Sequence, residues 1–226
     1  AFDGDPSTAA ISAEEIHYLC DAVGAYFTQP VTPDDVRWSF AGVRPLFGDD
    51  GDDPSAVTRD YVLDLDSGED GAAPLLSVLG GKITTYRRLA ESAMDSLAPY
   101  SPDLKCSWTA SAPLPGGDLG AGGIAGCIAG LADDYPDMPC DLLAGLAHRH
   151  GSLAREVLGG AKTATDLGRD FGAGLTAREI DYLITREWAA TADDILWRRT
   201  KCGLHLDEGQ RQRVAAYLTE QQSMAK

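Results

Sequence analysis

Leu75-Leu76-Ser77-Val78-Leu79-Gly80-Gly81-Lys82-Ile83-Thr84-Thr85-Tyr86 is the stretch on which the fold assignment turns. Its first five residues are a short apolar run, the pattern of a central strand covered on both faces. Two glycines come next, which permit backbone conformations closed to other residues. From Tyr86 onward the apolar positions are 86, 89, 90, 93, 94 and 97, the stripe of an amphipathic helix. A strand, paired glycines and a helix start put free backbone N–H groups at the positive end of a helix dipole. Lys82 adds a point charge there and Thr84 a hydroxyl. That chemistry suits an anion or an electron-rich oxygen. The plain alternative is a strand-to-helix turn with an exposed lysine. Neither the G-x-x-x-x-G-K-[ST] phosphate loop nor the G-x-G-x-x-G dinucleotide fingerprint occurs.

Upstream, Ser12-Ala13-Glu14-Glu15 is a capping box opening a helix that carries Ile16, Leu19, Cys20, Val23, Tyr26 and Phe27. Val36, Trp38 and Phe40 alternate with Arg37 and Ser39, the period of a half-buried strand. Asp49-Asp50-Gly51-Asp52-Asp53 reads as a solvated loop, because the EF-hand spacing is missing. Residues 61–65 read as a second strand. Arg44 stands at the end of one strand and Arg59 at the start of the next. Each guanidinium can grip a phosphate with two parallel N–H bonds, or pair with one of the many aspartates.

Downstream, residues 105–123 carry prolines and glycines and read as a connector. The rest of the chain reads as helices only: 122–131, then 140–158 with a break near Gly151, then a loop at 168–174. Thr176-Ala177-Arg178-Glu179 is a capping box for a helix with Ile180, Leu183, Ile184 and Trp188 on one side. Thr191-Ala192-Asp193-Asp194 opens another, with Ile195, Leu196 and Trp197 inward. Asp207 caps a last helix bearing Val214, Ala215 and Leu218. His148 and His150 point apart at i and i+2 on a helix, so a metal pair is not expected. Arg198-Arg199-Thr200-Lys201 reads as partners for Asp193 and Asp194. The fold class is therefore α+β, with a mixed part over residues 1–104 and an all-α part over 105–226.

The chain of 226 residues holds 19 Lys plus Arg against 35 Asp plus Glu, a formal charge of −16. Such a surface repels phosphate backbones and anionic lipid, so nucleic acid is not an expected partner. No apolar run is long enough to span a bilayer. Five cysteines, an odd number without C-x-x-C spacing, read as reduced thiols of a cytosolic protein. The start has neither a Met nor a signal-peptide pattern and reads as a cut from something longer.

Separated motifs carry a resemblance. Trp38-Ser39-Phe40-Ala41-Gly42-Val43-Arg44-Pro45-Leu46, Thr58-Arg59-Asp60-Tyr61, the stretch from Leu75 to Arg87 with its GGK-x-T-T-Y-R, and Glu187-Trp188 through Lys201 stand in the order found in FAD-dependent glycerol-3-phosphate dehydrogenases, which the chain resembles from about residue 4 to about residue 220. The resemblance implies oxidation of sn-glycerol 3-phosphate to dihydroxyacetone phosphate through FAD, with electrons passed to quinone. A glycerophosphate oxidase using oxygen, or a helical dimerisation and docking module without chemistry, are the alternatives. It implies Arg44, Arg59, Lys82 and Thr84 on the substrate, with Arg44 and Lys82 catalytic. It implies Gly80, Gly81, Lys82 and Ile83 beside the flavin, and a cytoplasmic protein held peripherally on the inner membrane face, with a homodimer left open. Residues 1–104 would be the remnant of a substrate-covering sheet plus the last strand and helix of the FAD domain. Residues 105–226 would be the helical C-terminal domain. With its partner strands missing, the first part is expected to be distorted, partly disordered or paired with another copy.

The missing glycine fingerprint, which would cradle the FAD pyrophosphate, gives a direct test. The chain purified alone is expected to carry no flavin. Flavin absorbance coeluting with it in size-exclusion chromatography would overturn that expectation.

Overall fold

The computed structural model describes residues 2, 4–43, 60–68 and 72–224. The chain divides into two compact units, Ala1–Ala112 and Pro113–Lys226.

In the first unit, α1 (Ala13–Gly24) starts where its cap dictates. Ser12 Oγ accepts the Glu15 N–H at 3.2 Å, and Glu15 Oε2 accepts the Ser12 N–H at 2.8 Å. Residues 36–40 do not form the expected strand. They are irregular, with no ladder partner among the described residues, and Val36, Trp38 and Phe40 line a groove with Ile16, Leu19 and Val23 of α1. Alternating polarity marks a chain with two faces, but a strand also needs a neighbouring backbone. The Trp38 and Phe40 rings instead lie 5.2 Å apart.

The strands β1 (Tyr61–Asp66) and β2 (Leu75–Gly80) do form, as an antiparallel ribbon with Tyr61 opposite Gly80 and Asp66 opposite Leu75. The central, doubly covered strand inferred for residues 75–79 is corrected by this pairing. Among the described residues β2 has β1 alone as neighbour, and Leu75 and Val78 are 64% and 45% exposed. An apolar run reports the cover a strand needs, not the cover present. A 3-10 turn, Ile83–Thr85, leads into α2 (Tyr86–Leu97). Among the described residues of this unit only Cys20 is buried.

The second unit has two apolar cores. The first lies among α3 (Gly123–Asp134), α4 (Cys140–His150) and α5 (Ala154–Leu158), where Leu131, Leu143, Leu146 and Leu158 are fully enclosed. Each such leucine contributes roughly 1.5–3 kcal/mol. The break falls at Gly151, whose φ of +57° leaves no room for a side chain against the Gly116 carbonyl. The other core gathers Phe171, Leu175, Ile180, Leu183, Ile195 and Val214. These come from α6 (Ala177–Glu187), a π-helical turn Asp194–Arg199, α7 (Glu208–Met224) and a short hairpin.

That hairpin corrects the all-helical reading of residues 105–226. β3 (Asp170–Gly172) pairs antiparallel with β4 (Leu175–Thr176). Gly172, Ala173 and Gly174 all have positive φ, so the glycines make a tight turn. Phe171 and Leu175 on either side are fully buried and anchor it. Trp188 is a second correction. The stripe of α6 ends at Glu187, and Trp188 is a left-handed C-cap, 87% exposed. Val214 and Leu218 are buried as expected, whereas Ala215 faces out. All five cysteines are free. Among the described residues no helix is long and apolar enough to cross a membrane.

The two cores meet at an ionic cluster. Arg149 donates from Nε and Nη2 to the two oxygens of Glu179, each at 2.7 Å, and from Nη2 to the Gly174 carbonyl at 3.2 Å. His150 Nε2 lies 2.8 Å from Glu179 Oε1, and its ring meets Tyr182 edge-on at 5.4 Å. Tyr182 packs against both cores. The expected capping box on α6 is thus only half formed. Thr176 Oγ1 accepts the Glu179 N–H at 3.4 Å, but the Glu179 side chain turns inward and is fully buried. Burial pushes the Glu179 pKa up, but hydrogen bonds from His150 and Arg149 outweigh burial and hold it below its ordinary 4.5.

Breaking one side of a buried ion pair costs about 3–5 kcal/mol. Glu179→Gln is therefore expected to raise amide exchange across α4 and α6 together. Because the folded-state pKa is depressed, the carboxylate's contribution is present above about pH 4.5 and lost as the pH falls through the lower folded value. Thermal unfolding of the wild type against pH should show that loss, and the Gln variant should lack it.

Candidate functional site

The paired glycines carry out the conformational task inferred for them. Gly80 ends β2 at φ +72°, and Gly81 comes next at φ +93°. A Cβ on Gly81 would lie 3.2 Å from the Tyr61 Cβ, so the backbone here runs directly against β1. Lys82 returns to extended backbone and caps the 3-10 turn, whose Thr85 donates its N–H to the Lys82 carbonyl at 3.1 Å. The side chains of Lys82, Ile83 and Thr84 are exposed, Ile83 by 89%. Among the described residues no carboxylate pairs with the Lys82 ammonium group. The N-terminal end of α2 therefore presents a glycine backbone, a hydroxyl and a positive charge that no described residue compensates. Arg44 and Arg59 lie outside the described residues.

The support that holds this turn in place leaves no mark in the motif itself. The Tyr61 hydroxyl and Ser92 Oγ share a hydrogen bond at 3.0 Å, tying β1 to the middle of α2. One residue earlier, Glu91 Oε1 accepts from Arg87 Nη1 at 2.7 Å, Ser107 Oγ at 2.6 Å and Thr109 Oγ1 at 2.5 Å. Hydrogen bonds from Ser107 and Thr109, with Arg87 alongside, pull the Glu91 carboxyl down to about 2. Residues 104–109 thus form a strap along α2. Ala90 and Met94 of the helix stripe, with Ala98 just past the helix end, line the groove beneath it, a space of about 350 Å³. The one sequence signal for it is the i, i+4 pair Arg87 and Glu91 beside the stripe.

The other candidates resolve into structural roles. Arg198 Nη1 pairs with Asp194 Oδ1 at 3.0 Å, as expected, but Arg199 donates to the Glu187 carbonyl and secures the end of α6. Thr191 and Asp194 do form a reciprocal cap, and hydrogen bonds led by the Thr191 N–H bring the Asp194 carboxyl to about 2. His148 is exposed while His150 belongs to the buried cluster.

Residues 107–222 match the family described as the C-terminal domain of alpha-glycerophosphate oxidase. Over 217 residues the chain is 48% identical to a glycerol-3-phosphate dehydrogenase of Pseudomonas aeruginosa, covering 96% of this chain and 42% of that protein. It is 43% identical over 219 residues to the aerobic glycerol-3-phosphate dehydrogenase of Escherichia coli, covering 97% and 43%. It is 47% identical over 211 residues to a D-erythritol 1-phosphate dehydrogenase of Brucella abortus, covering 93% and 42%. The chain spans about two fifths of the length of these relatives. With just over half of its residues inside the matched region, the chain belongs to the family of the alpha-glycerophosphate oxidase C-terminal domain.

Proposed function

We propose that these 226 residues work within a family-length flavoenzyme that oxidises sn-glycerol 3-phosphate to dihydroxyacetone phosphate. One observation carries the reading: the Gly80-Gly81-Lys82 turn offers a glycine backbone and an exposed ammonium group, unpaired among the described residues, at the start of α2. Residues 1–104 would contribute this turn and part of the substrate-covering sheet. Residues 105–226 would be the helical C-terminal domain.

The chemistry of the donor set fits one edge of a flavin. A ring that gains electrons becomes negatively polarised, and a fixed positive charge beside it stabilises the charge that develops. Nothing in this sequence matches the glycine fingerprint for a pyrophosphate, so the fit extends to the ring edge and not to the dinucleotide tail. FAD, when bound, supplies the hydride acceptor. Gly80, Gly81, Lys82 and Ile83 would lie along it, with the bare backbone permitting close approach. Lys82 and Thr84, joined by Arg44 and Arg59, would hold and orient the phosphomonoester. Arg44 and Lys82 would be the catalytic pair.

Two finer points are the electron acceptor and the length of the polyol. The family's description names an oxidase, whereas the relatives are named dehydrogenases. We favour the dehydrogenase reading, with quinone as acceptor and a peripheral place on the cytoplasmic membrane face. A second reading takes a longer polyol phosphate, because a relative 47% identical is named D-erythritol 1-phosphate dehydrogenase. Both substrates share a phosphomonoester on a polyol.

In a family-length enzyme carrying this chain, Lys82→Met is expected to slow flavin reduction by glycerol 3-phosphate about 100-fold, the usual size for loss of one charge-stabilising group. Stopped-flow bleaching of the flavin measures it. Reduction at the wild-type rate would remove Lys82 from the chemistry.

A further inference from the structure

Glu91 has no part in the stripe that packs α2 and no place in the motif of the turn, yet it is the most heavily bonded side chain near either. Its Oε1 collects three donors from two directions: Arg87 on its own helix, and Ser107 and Thr109 on the strap. Thr109 Oγ1 also lies 3.4 Å from Arg87 Nη1, closing the set into a ring of contacts. The Glu91 side chain is only 17% exposed, so solvent competes weakly for these bonds.

The mechanical consequence lies about two turns away. A helix is a stiff rod, and the 3-10 turn bearing Ile83 to Thr85 continues directly into Tyr86, the first residue of α2. Besides the packing of its apolar stripe, two polar attachments hold that rod. Tyr61 with Ser92 sets it against β1, and Glu91 with the strap sets it on another side. Without the second attachment α2 can rock about the first, and the residues displaced are those at its N-terminal end. Ser107 and Thr109 are also the opening residues of the stretch matched by the family's C-terminal domain. The strap therefore opens the matched stretch and holds the helix that follows the Lys82 turn.

We propose that Glu91 is a positioning residue for the Lys82 turn, acting by clasping Ser107 and Thr109 to α2. This rests on the role proposed for Lys82, and the test separates the two. Two variants are compared, Glu91→Gln and the double change Ser107→Ala with Thr109→Val, which leaves Glu91 paired with Arg87. In the 226-residue chain, amide exchange at Thr85 and Tyr86, whose N–H groups close the turn, is expected to quicken about tenfold in both, while the β1–β2 amides keep their wild-type protection. Exchange that quickens equally throughout the unit, or not at all, would overturn the proposal. In a family-length enzyme both variants should slow flavin reduction about tenfold, equivalent to about 1.4 kcal/mol, at unchanged flavin content. Combining them should add little, since they break one contact set. Wild-type reduction in both, beside a slow Lys82→Met, would sink the clasp alone. Wild-type reduction in Lys82→Met would sink the reading of the turn, while the exchange measurement would still judge whether Glu91 holds it.

Discussion

A carboxylate cannot be sealed away from water unless something replaces the water, and Glu179 is sealed completely. Arg149 replaces it with two parallel N–H bonds and His150 with a third. Those partners stand on α4 while Glu179 stands on α6, so the cluster joins two apolar cores that share Tyr182 at their margin. The same guanidinium reaches the Gly174 carbonyl in the β3–β4 turn. One charge thus sets the placement of two helices and a hairpin. Apolar contacts are tolerant of small slides, whereas a bidentate pair of fixed geometry is not. The leucines supply most of the cohesion of this unit, and the cluster selects the register in which they meet.

The local chemistry is legible in the sequence and the tertiary chemistry is not. Ser12 with Glu15, Thr191 with Asp194 and Asp207 with Gln210 sit where reciprocal bonds close within a single turn, so residue type and spacing suffice. Glu179 has the same spacing from Thr176, but its partners are about 30 residues upstream and draw it out of the cap. The hairpin at Phe171 and Leu175 is hidden for a similar reason. Glycines at 172 and 174 announce a turn, and only the burial of the flanking apolar pair makes that turn a ribbon. Trp188 falls inward only if the stripe is extended one residue past the point where the helix stops.

In the first unit the paired-glycine turn is legible because glycine carries its own conformational signature. The positive φ values of Gly80 and Gly81 and the exposed lysine follow from residue identity, whereas the near approach to Tyr61 comes from the β1–β2 pairing. The support behind the turn is not legible. Tyr61 with Ser92, and Glu91 with the strap, join positions 31 and up to 18 residues apart through hydroxyls that have no periodic pattern. Arg44 and Arg59 complete the candidate set by resemblance, and the turn is the portion whose geometry is described.

Among the described residues the β1–β2 ribbon has two strands and so two outer borders. Along β1 two acids, Asp64 and Asp66, stand exposed. β2 reads Leu-Leu-Ser-Val-Leu-Gly and bears no charge at all. Incoming polypeptide would find gatekeepers on one side and none on the other. Zipping of another backbone onto this unit is thus least opposed along β2, the strand whose own side chains most lack a lid.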